Sequence, residues 1–256
     1  LWEVDCARTT AIAMMGTYHV VYDIDLLGAP FGPDPFTGPW GALPEATASL
    51  FLLVVGVSLG ISDARSRERG TPRGARWRHH ATRGVRVLAA AMLVTVATYA
   101  VLPDQYVRFG ILHSIAAAGL LAVPLLRLGA WNLLAGAAIL TIGITIRDVR
   151  SDIPGAFVVG LPPDDFKTVD YWPIFPWMGV VLIGVALASI VYPGGRRAPW
   201  ALRMEGIGSG RWSEIVRVFA APGRRSLVVY LVHQPILIAV VAIWLLAVGV
   251  DVSWTR

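Results

Sequence analysis

Charged residues and cysteine are scarce in this sequence. Of its 256 residues, 15% are charged and 55% are hydrophobic, whereas soluble domains carry about 25% charged residues. The chain has too few polar side chains to cover a water-soluble globule, and the same composition excludes a disordered or collagen-like chain. The single cysteine, Cys6, excludes an internal disulfide. The first apolar stretch lacks a basic leader and a small-residue cleavage site, so we expect no cleavable signal peptide.

The sequence, poor in charged residues, contains several long apolar stretches. A membrane-spanning helix needs about 20 mostly apolar residues, and turn-rich or charged segments separate seven stretches of about that length. We therefore expect an all-α polytopic membrane helix bundle with about seven transmembrane helices, forming a single domain over residues 1–256. The seven stretches are 6–27, 45–62, 84–102, 109–126, 128–147, 172–193 and 226–250.

Lysine and arginine are distributed unequally between the two sides of this predicted bundle. With a cytoplasmic N-terminus, the cytoplasmic side holds Arg8, Arg127, eight arginines in 65–86 and seven in 196–225, which makes 17 of the 22 basic residues, and the opposite side holds five. Cytoplasmic segments are enriched in basic residues. We expect a plasma-membrane protein with its N-terminus inside and its C-terminus outside, in contact with membrane lipid and not with nucleic acid.

Three histidines are candidates for chemistry within the membrane. At about 1.5 Å per residue, His19 and His113 are expected at similar depths in the outer half, and His233 in a different zone nearer the cytoplasm. Asp23, one turn beyond His19, could hold an imidazole tautomer and stabilise its protonated form, as a general base requires. We interpret His19, Asp23 and His113 as the catalytic group. The alternative is that each histidine caps a carbonyl and only fixes helix packing.

Arginines gather where helices meet the cytoplasm. Asp5 and Arg8 share one helix face and form either a helix-end ion pair or a site for an anionic ligand. Two further arginines precede the last helix, whose N-terminal amides also attract anions. The basic segment 63–86 is either a topology signal bound to anionic lipid headgroups or a phosphate-binding element. The residues assigned to an anionic cofactor are Asp5, Arg8, Arg224, Arg225, Ser226 and His233.

Aromatic residues mark the opposite side of the predicted bundle. The segment 170–177 combines Asp170 with several aromatic rings, which form either an interfacial aromatic belt or a surface that stacks on sugar rings while the carboxylate accepts hydroxyl hydrogen bonds. The residues assigned to an acceptor substrate are Trp40, Asp170, Tyr171 and Trp177. The sequence has no metal-ligand spacing, phosphate-binding glycine loop or nucleophilic motif above chance, and we expect no metal.

Several motifs, in order, resemble a known family. They are Trp2-Glu3-Val4-Asp5-Cys6-Ala7-Arg8, Phe109-Gly110-Ile111-Leu112-His113, Tyr171 to Trp177, and Ser226 to Pro235. Together they resemble the transmembrane heparan-alpha-glucosaminide N-acetyltransferase catalytic domain and its prokaryotic relatives. The resemblance implies a single transmembrane acyltransferase-like domain. Such an enzyme takes an acetyl group from cytoplasmic acetyl-CoA and delivers it to an amine or hydroxyl of an extracytoplasmic sugar or glycan. A homodimer is one assembly left open.

The sequence departs from the family pattern at the catalytic histidine. The animal lysosomal members carry it in the loop after the first helix, just ahead of a tryptophan, whereas here Thr37-Gly38-Pro39 precede Trp40. His19 stands where those members have asparagine, so the base role is assigned to it as a displaced function. Transfer is either direct or through an acetyl-imidazole. Two other classes stay open: a proton-coupled transporter or lipid-handling protein with a His/Asp proton relay, and a scaffold subunit.

Overall fold

Helices make up almost all of the regular structure. The computed structural model describes residues 1–202, 206, 210 and 212–253. The chain is 75% helical, and its described part contains no strand beyond an isolated bridge between Phe109 and Tyr171. The predicted all-α fold is confirmed. The helices are α1 (Trp2–Leu26), α2 (Gly38–Glu68), α3 (Arg73–Val101), α4 (Ile111–Ala122), α5 (Asn132–Ile146), α6 (Ile174–Val191), α7 (Ser213–Arg224) and α8 (Ser226–Ala247).

Among the residues that the structure describes, five helical stretches are long and apolar enough to cross a membrane. They are α2, α3, α6, α8 and the 36-residue stretch Ile111–Ile146, which joins α4 to α5 and is kinked at Gly129, where φ is +54°. The most apolar windows of α3 and α8 are only 11% and 6% buried, which leaves their side chains available to lipid. The chain is therefore a multi-pass membrane protein.

The predicted spans all fall on helices. The stretch 6–27 lies on α1, which is not among the five, and the stretches 109–126 and 128–147 fall on one kinked helical segment. The total of about seven spans and the cytoplasmic N-terminus stay predictions. Three arginines counted for the orientation, Arg203, Arg211 and Arg256, lie outside the described residues.

Contacts divide the chain into two compact units. The first unit is Leu1–Phe51 with Gly208–Arg256, and the second is Leu52–Ile207. In the first unit α1 packs against α7 and α8, and Leu27, Val241 and Leu245 form a buried core cluster. In the second unit α6 packs against α5 and α4, and α4 also packs against α3.

Small residues allow close helix packing in the second unit. A Cβ atom at Gly56 would lie 2.0 Å from the Val181 carbonyl oxygen, and a Cβ atom at Gly184 would lie 2.2 Å from the Leu53 carbonyl oxygen. At these two positions the backbones of α2 and α6 touch, as is common where membrane helices associate through small residues.

Candidate active site and anion-binding residues

A close contact between α7 and α1 sets the geometry of the first unit. The backbone N–H of Gly223 donates a hydrogen bond to Thr9 Oγ1 at 3.0 Å. A Cβ atom at Gly223 would lie 2.0 Å from the Asp5 carbonyl oxygen, so no other residue fits without moving the backbone. Because α8 begins three residues later at Ser226, this contact fixes the position of α8 along α1.

The contact brings His19 of α1 and His233 of α8 together. Their ring centroids are 4.9 Å apart with the planes at 80°. The expectation that His233 occupies a different zone is wrong, because it measured each depth from its own predicted helix end. Measured from the observed contact, His19 is ten residues beyond Thr9 and His233 is ten residues beyond Gly223. At about 1.5 Å per helical residue, each histidine therefore lies about 15 Å from the contact between Thr9 and Gly223.

Each imidazole of the pair is anchored to its own helix. Nδ1 of His19 lies 3.0 Å from the Met15 carbonyl oxygen, and Nδ1 of His233 bonds to the Tyr230 carbonyl oxygen. A carbonyl oxygen only accepts hydrogen bonds, so in each neutral ring Nδ1 carries the proton and Nε2 carries the lone pair. Nε2 of His233 is buried and meets no hydrogen-bond partner among the described residues. The pair thus presents basic nitrogens inside the unit.

Asp23 pairs with Gln234 rather than with His19. Asp23 is fully buried, and its Oδ1 accepts a hydrogen bond from Gln234 Nε2 at 2.7 Å. The expected role of Asp23 as the hydrogen-bond partner of His19 is not what the structure shows, because the His19 Nδ1 proton goes to Met15. Asp23 lies one helical turn beyond His19, and Gln234 directly follows His233 in the chain.

Three buried polar atoms in this group lack a partner within the described part of the chain: Asp23 Oδ2, Gln234 Oε1 and His233 Nε2. Buried polar atoms are nearly always hydrogen-bonded, and an unmade bond costs about 1–3 kcal/mol. Such a group is a candidate site for a polar ligand. Sequence reasoning gave Gln234 no role, although a polar residue beside a histidine in an apolar helix was a signal for one.

The predicted anion-binding residues gather at one end of the first unit. Arg8 Nη1 and Asp5 Oδ1 form an ion pair at 2.5 Å, with both side chains about one-fifth exposed. Arg224 and Arg225 are exposed, and Ser226 is half-buried. These residues directly follow Gly223, which touches Asp5. The ion pair is therefore confirmed, and the binding of an anionic ligand beside it stays a prediction.

His113 belongs to the second unit and has a different environment. Its Nδ1 accepts a hydrogen bond from the Gly110 N–H at 3.3 Å, at the start of α4. Its Nε2 lies 3.4 Å from Thr95 Oγ1, whose own proton goes to the Val107 carbonyl oxygen. Both ring nitrogens are thus engaged. The packing alternative predicted a histidine that caps a carbonyl, whereas His113 bonds to an amide and a hydroxyl, and both bonds support packing around the start of α4.

Asp170 joins the loop before α6 to the start of α4. Its Oδ2 accepts a hydrogen bond from the Ile111 N–H at 3.0 Å, and its Oδ1 accepts one from Trp172 Nε1. Burial raises the pKa of the Asp170 carboxyl to about 6, although these two hydrogen bonds oppose that shift. Because Asp170 already binds two donors of its own chain, its first role is structural.

The other predicted acceptor-binding residues lie in aromatic clusters. In the second unit the Tyr171 hydroxyl donates to the Phe157 carbonyl oxygen at 2.6 Å, and burial raises the Tyr171 pKa to about 12. The Trp172 and Trp177 ring centroids are 4.6 Å apart. Trp40 belongs to the first unit, where it lies half-buried in the first turn of α2. Sequence reasoning did not include Trp172 among the site residues.

The family comparison covers nearly the whole chain. The model of the family described as heparan-alpha-glucosaminide N-acetyltransferase, catalytic, matches residues 1–235. The matched region runs from α1 into α8 and includes both histidines of the pair. No curated protein and no solved structure matches the chain.

Proposed function

The chain belongs to the heparan-alpha-glucosaminide N-acetyltransferase catalytic family, and from this premise we propose that it moves an acetyl group from cytoplasmic acetyl-CoA to an amine or hydroxyl of an extracytoplasmic sugar or glycan. The family is one of acetyltransferases, and the apolar helices are those of a multi-pass membrane protein. The observation that carries the proposal is the pair of imidazoles, His19 and His233, beside buried polar atoms. The proposal places the protein in the plasma membrane with its N-terminus inside.

His19 is the proposed general base. Its Nε2 lone pair takes the proton from the acceptor amine or hydroxyl while that atom attacks the thioester carbonyl carbon. The new C–N or C–O bond forms, the C–S bond breaks, and the thiolate of CoA leaves and receives the proton. The same lone pair would attack the carbonyl itself in the route through an acetyl-imidazole. Both routes use the tautomer that the hydrogen bond to Met15 supports.

Asp23 and His233 are proposed to support this base. Asp23 lies one turn from His19, where side chains have Cβ atoms about 5–6 Å apart. Its negative charge would stabilise the imidazolium through space, while Gln234 holds the carboxylate between α1 and α8. His233 contacts the His19 ring edge to face and would pass the proton onward. His113, in the second unit, is proposed instead to position the start of α4 through its two bonded ring nitrogens.

The donor is proposed to bind at the arginine-rich end of the first unit. Asp5 holds Arg8 in place, and Arg224, Arg225 and Ser226 follow the Gly223 contact, so cationic groups and helix amides face a phosphate. The distance along α1 from Arg8 to His19 is about 17 Å, which the pantetheine arm would span. In the second unit, a sugar ring is proposed to stack on Tyr171 and Trp177, with Asp170 beside them. The binding of the acceptor by Trp40, in the first unit, stays a prediction.

Binding and transfer assays on the purified protein in lipid nanodiscs test this function. Acetyl-CoA at a hundred times its Kd should raise the unfolding free energy by about 2.7 kcal/mol, which a thermal shift detects. Amino sugars and glycan fragments then serve as acceptors for labelled acetyl groups. Neither stabilisation nor transfer with any acceptor would contradict the function.

A proton relay is the second candidate, because a fully buried aspartate beside two histidines is also what a proton-coupled transporter uses. Proton-coupled flux of a solute in proteoliposomes, without stabilisation by acetyl-CoA, would favour this alternative. A scaffold role would be favoured if cells tolerated His19→Gln and His113→Gln together.

A further inference from the structure

The second unit contains a basic cavity that the proposed mechanism does not use. Its volume is about 230 Å³, and it lies where the end of α2 and the start of α3 approach the segment that follows α4. Four arginines line it, together with a single carboxylate and a histidine. These residues are Asp63, Arg67, Arg73, Arg76, His80 and Arg127. The guanidinium groups outnumber the carboxylate by three, so the cavity is strongly positive.

Asp63 organises this cavity from its buried side. It is only 5% exposed, and its Oδ2 accepts a hydrogen bond from Arg67 Nε at 2.7 Å. Its Oδ1 lies 3.1 Å from Arg76 Nε. One carboxylate therefore holds two guanidinium groups from two helices. Nη1 of Arg76 also donates to the Thr71 carbonyl oxygen at 3.1 Å.

His80 gives a second, independent indication of a ligand. The residue is 4% exposed and lines the cavity. Its Nε2 is 3.6 Å from Asp63 Oδ1, which is too long for a hydrogen bond. Neither ring nitrogen has a hydrogen-bond partner in the portion of the chain that the structure describes. A buried imidazole with two unused nitrogens beside guanidinium groups is poised to bind an acceptor-rich anion.

We propose that this cavity binds a phosphate group. Guanidinium groups bind phosphate oxygens through paired, charge-assisted hydrogen bonds. The cavity volume is smaller than the roughly 300–1,000 Å³ of a pocket for a drug-sized ligand. The cavity therefore fits only the phosphate portion of a larger molecule. That molecule is either a soluble phosphate compound or an anionic membrane lipid. Trp77, 45% exposed at the cavity, offers an aromatic face beside it.

The phosphate site depends only on the cavity and not on the proposed function. Adenosine 3′,5′-bisphosphate and inorganic pyrophosphate are the soluble probes, and nanodiscs with and without phosphatidylglycerol are the lipid probes. The variant combines Arg73→Gln with Arg127→Gln, since both residues are exposed and their loss leaves the Asp63 contacts intact. The matched control combines Arg78→Gln with Arg86→Gln, which removes the same charge from α3 outside the cavity.

The cavity variant should weaken binding of a soluble probe by about 100-fold, because one charge-assisted hydrogen bond contributes about a factor of ten. The control should change the affinity by less than about threefold, as expected for screened surface charges. If only the preference for phosphatidylglycerol nanodiscs falls in the cavity variant, the phosphate belongs to a lipid headgroup. If the variant and the control behave alike with every probe, the proposal is wrong.

Discussion

The histidines of the two units differ in what their ring nitrogens bind. His113 in the second unit uses both nitrogens, one for the start of α4 and one for Thr95. His19 and His233 in the first unit each use Nδ1 on a carbonyl of their own helix and keep Nε2 for something else. The hydrogen bonding of the second ring nitrogen, Nε2, therefore distinguishes the histidines of the two units. When both nitrogens are bonded the residue supports packing, and an Nε2 that is left over is what the proposed general base requires.

Among the changes that test this difference between the two units, replacement of His19 should lower acetyl transfer the most. His19→Gln keeps a polar side chain in α1 but removes the proposed base, and general-base catalysis contributes about 10²- to 10⁴-fold. We expect kcat for acetyl transfer to fall by that factor while acetyl-CoA still raises the melting temperature. The matched control is His79→Gln, an exposed histidine on α3. Full transfer activity in the His19 variant would contradict its role as the base.

The pH dependence of stability tests whether Asp170 is structural. Its pKa of about 6 in the folded protein lies above the ordinary value near 4, so the folded state holds the proton more tightly. Lowering the pH from about 7 to 4 should therefore stabilise the fold through this group, by at most about 3 kcal/mol.

Thermal unfolding of wild type, Asp170→Asn and the exposed control Asp164→Asn at several pH values measures this contribution. The Asp170 variant should lose part of the pH dependence and the control should keep all of it. Equal pH dependence in the three proteins would mean that Asp170 does not titrate in this range.

Gly223→Ala should disturb the histidine pair from a distance. The new Cβ atom would overlap the Asp5 carbonyl oxygen, and overpacking of this kind costs about 1–3 kcal/mol. Because α8 must shift against α1, His233 would move away from His19, and kcat should fall together with the melting temperature. Gly16→Ala on α1 is the control, since a Cβ atom there meets nothing within 4 Å. An unchanged kcat would show that catalysis does not depend on the position of α8 along α1.

His113→Gln should give the smallest change in transfer. Loss of its hydrogen bonds at the start of α4 should cost about 1–2 kcal/mol of stability, seen as a lower melting temperature. The kcat at a temperature where the variant is folded should stay within about threefold of wild type. A hundredfold lower kcat with an unchanged melting temperature would instead restore His113 to a catalytic role.

The sequence predicted the all-α membrane fold because long apolar runs are a property of each helix alone. It did not predict which residues meet across helices. The level of His233 relative to His19 depends on the Gly223 contact with Asp5, which no local pattern reveals. Likewise the i,i+4 spacing of His19 and Asp23 indicated a pair, whereas the carboxylate found a better donor on α8 in Gln234.

The basic segment 63–86 also shows that the sequence does not predict which residues meet in the fold. Its arginines were visible in the sequence as charge, and both a lipid-facing signal and a phosphate-binding element fit that charge. Only the fold shows that Asp63, near the end of α2, gathers Arg67 of the same helix and Arg76 of α3 at one cavity. The arginines alone predicted affinity for anions, and the single buried carboxylate determines where the anion would bind.

The short distance between the His19 and His233 rings limits how much charge the pair can hold. Two positive imidazoliums 4.9 Å apart would repel each other by roughly 3 kcal/mol at an effective dielectric constant of 20, so the pair accommodates one extra proton and not two. In the proposed mechanism, a second acceptor molecule is therefore deprotonated only after the first proton has left with the departing thiol. Because the acceptor is proposed to lie outside and the thiol to leave inside, each proposed turnover would carry one proton inward as one acetyl group moves outward.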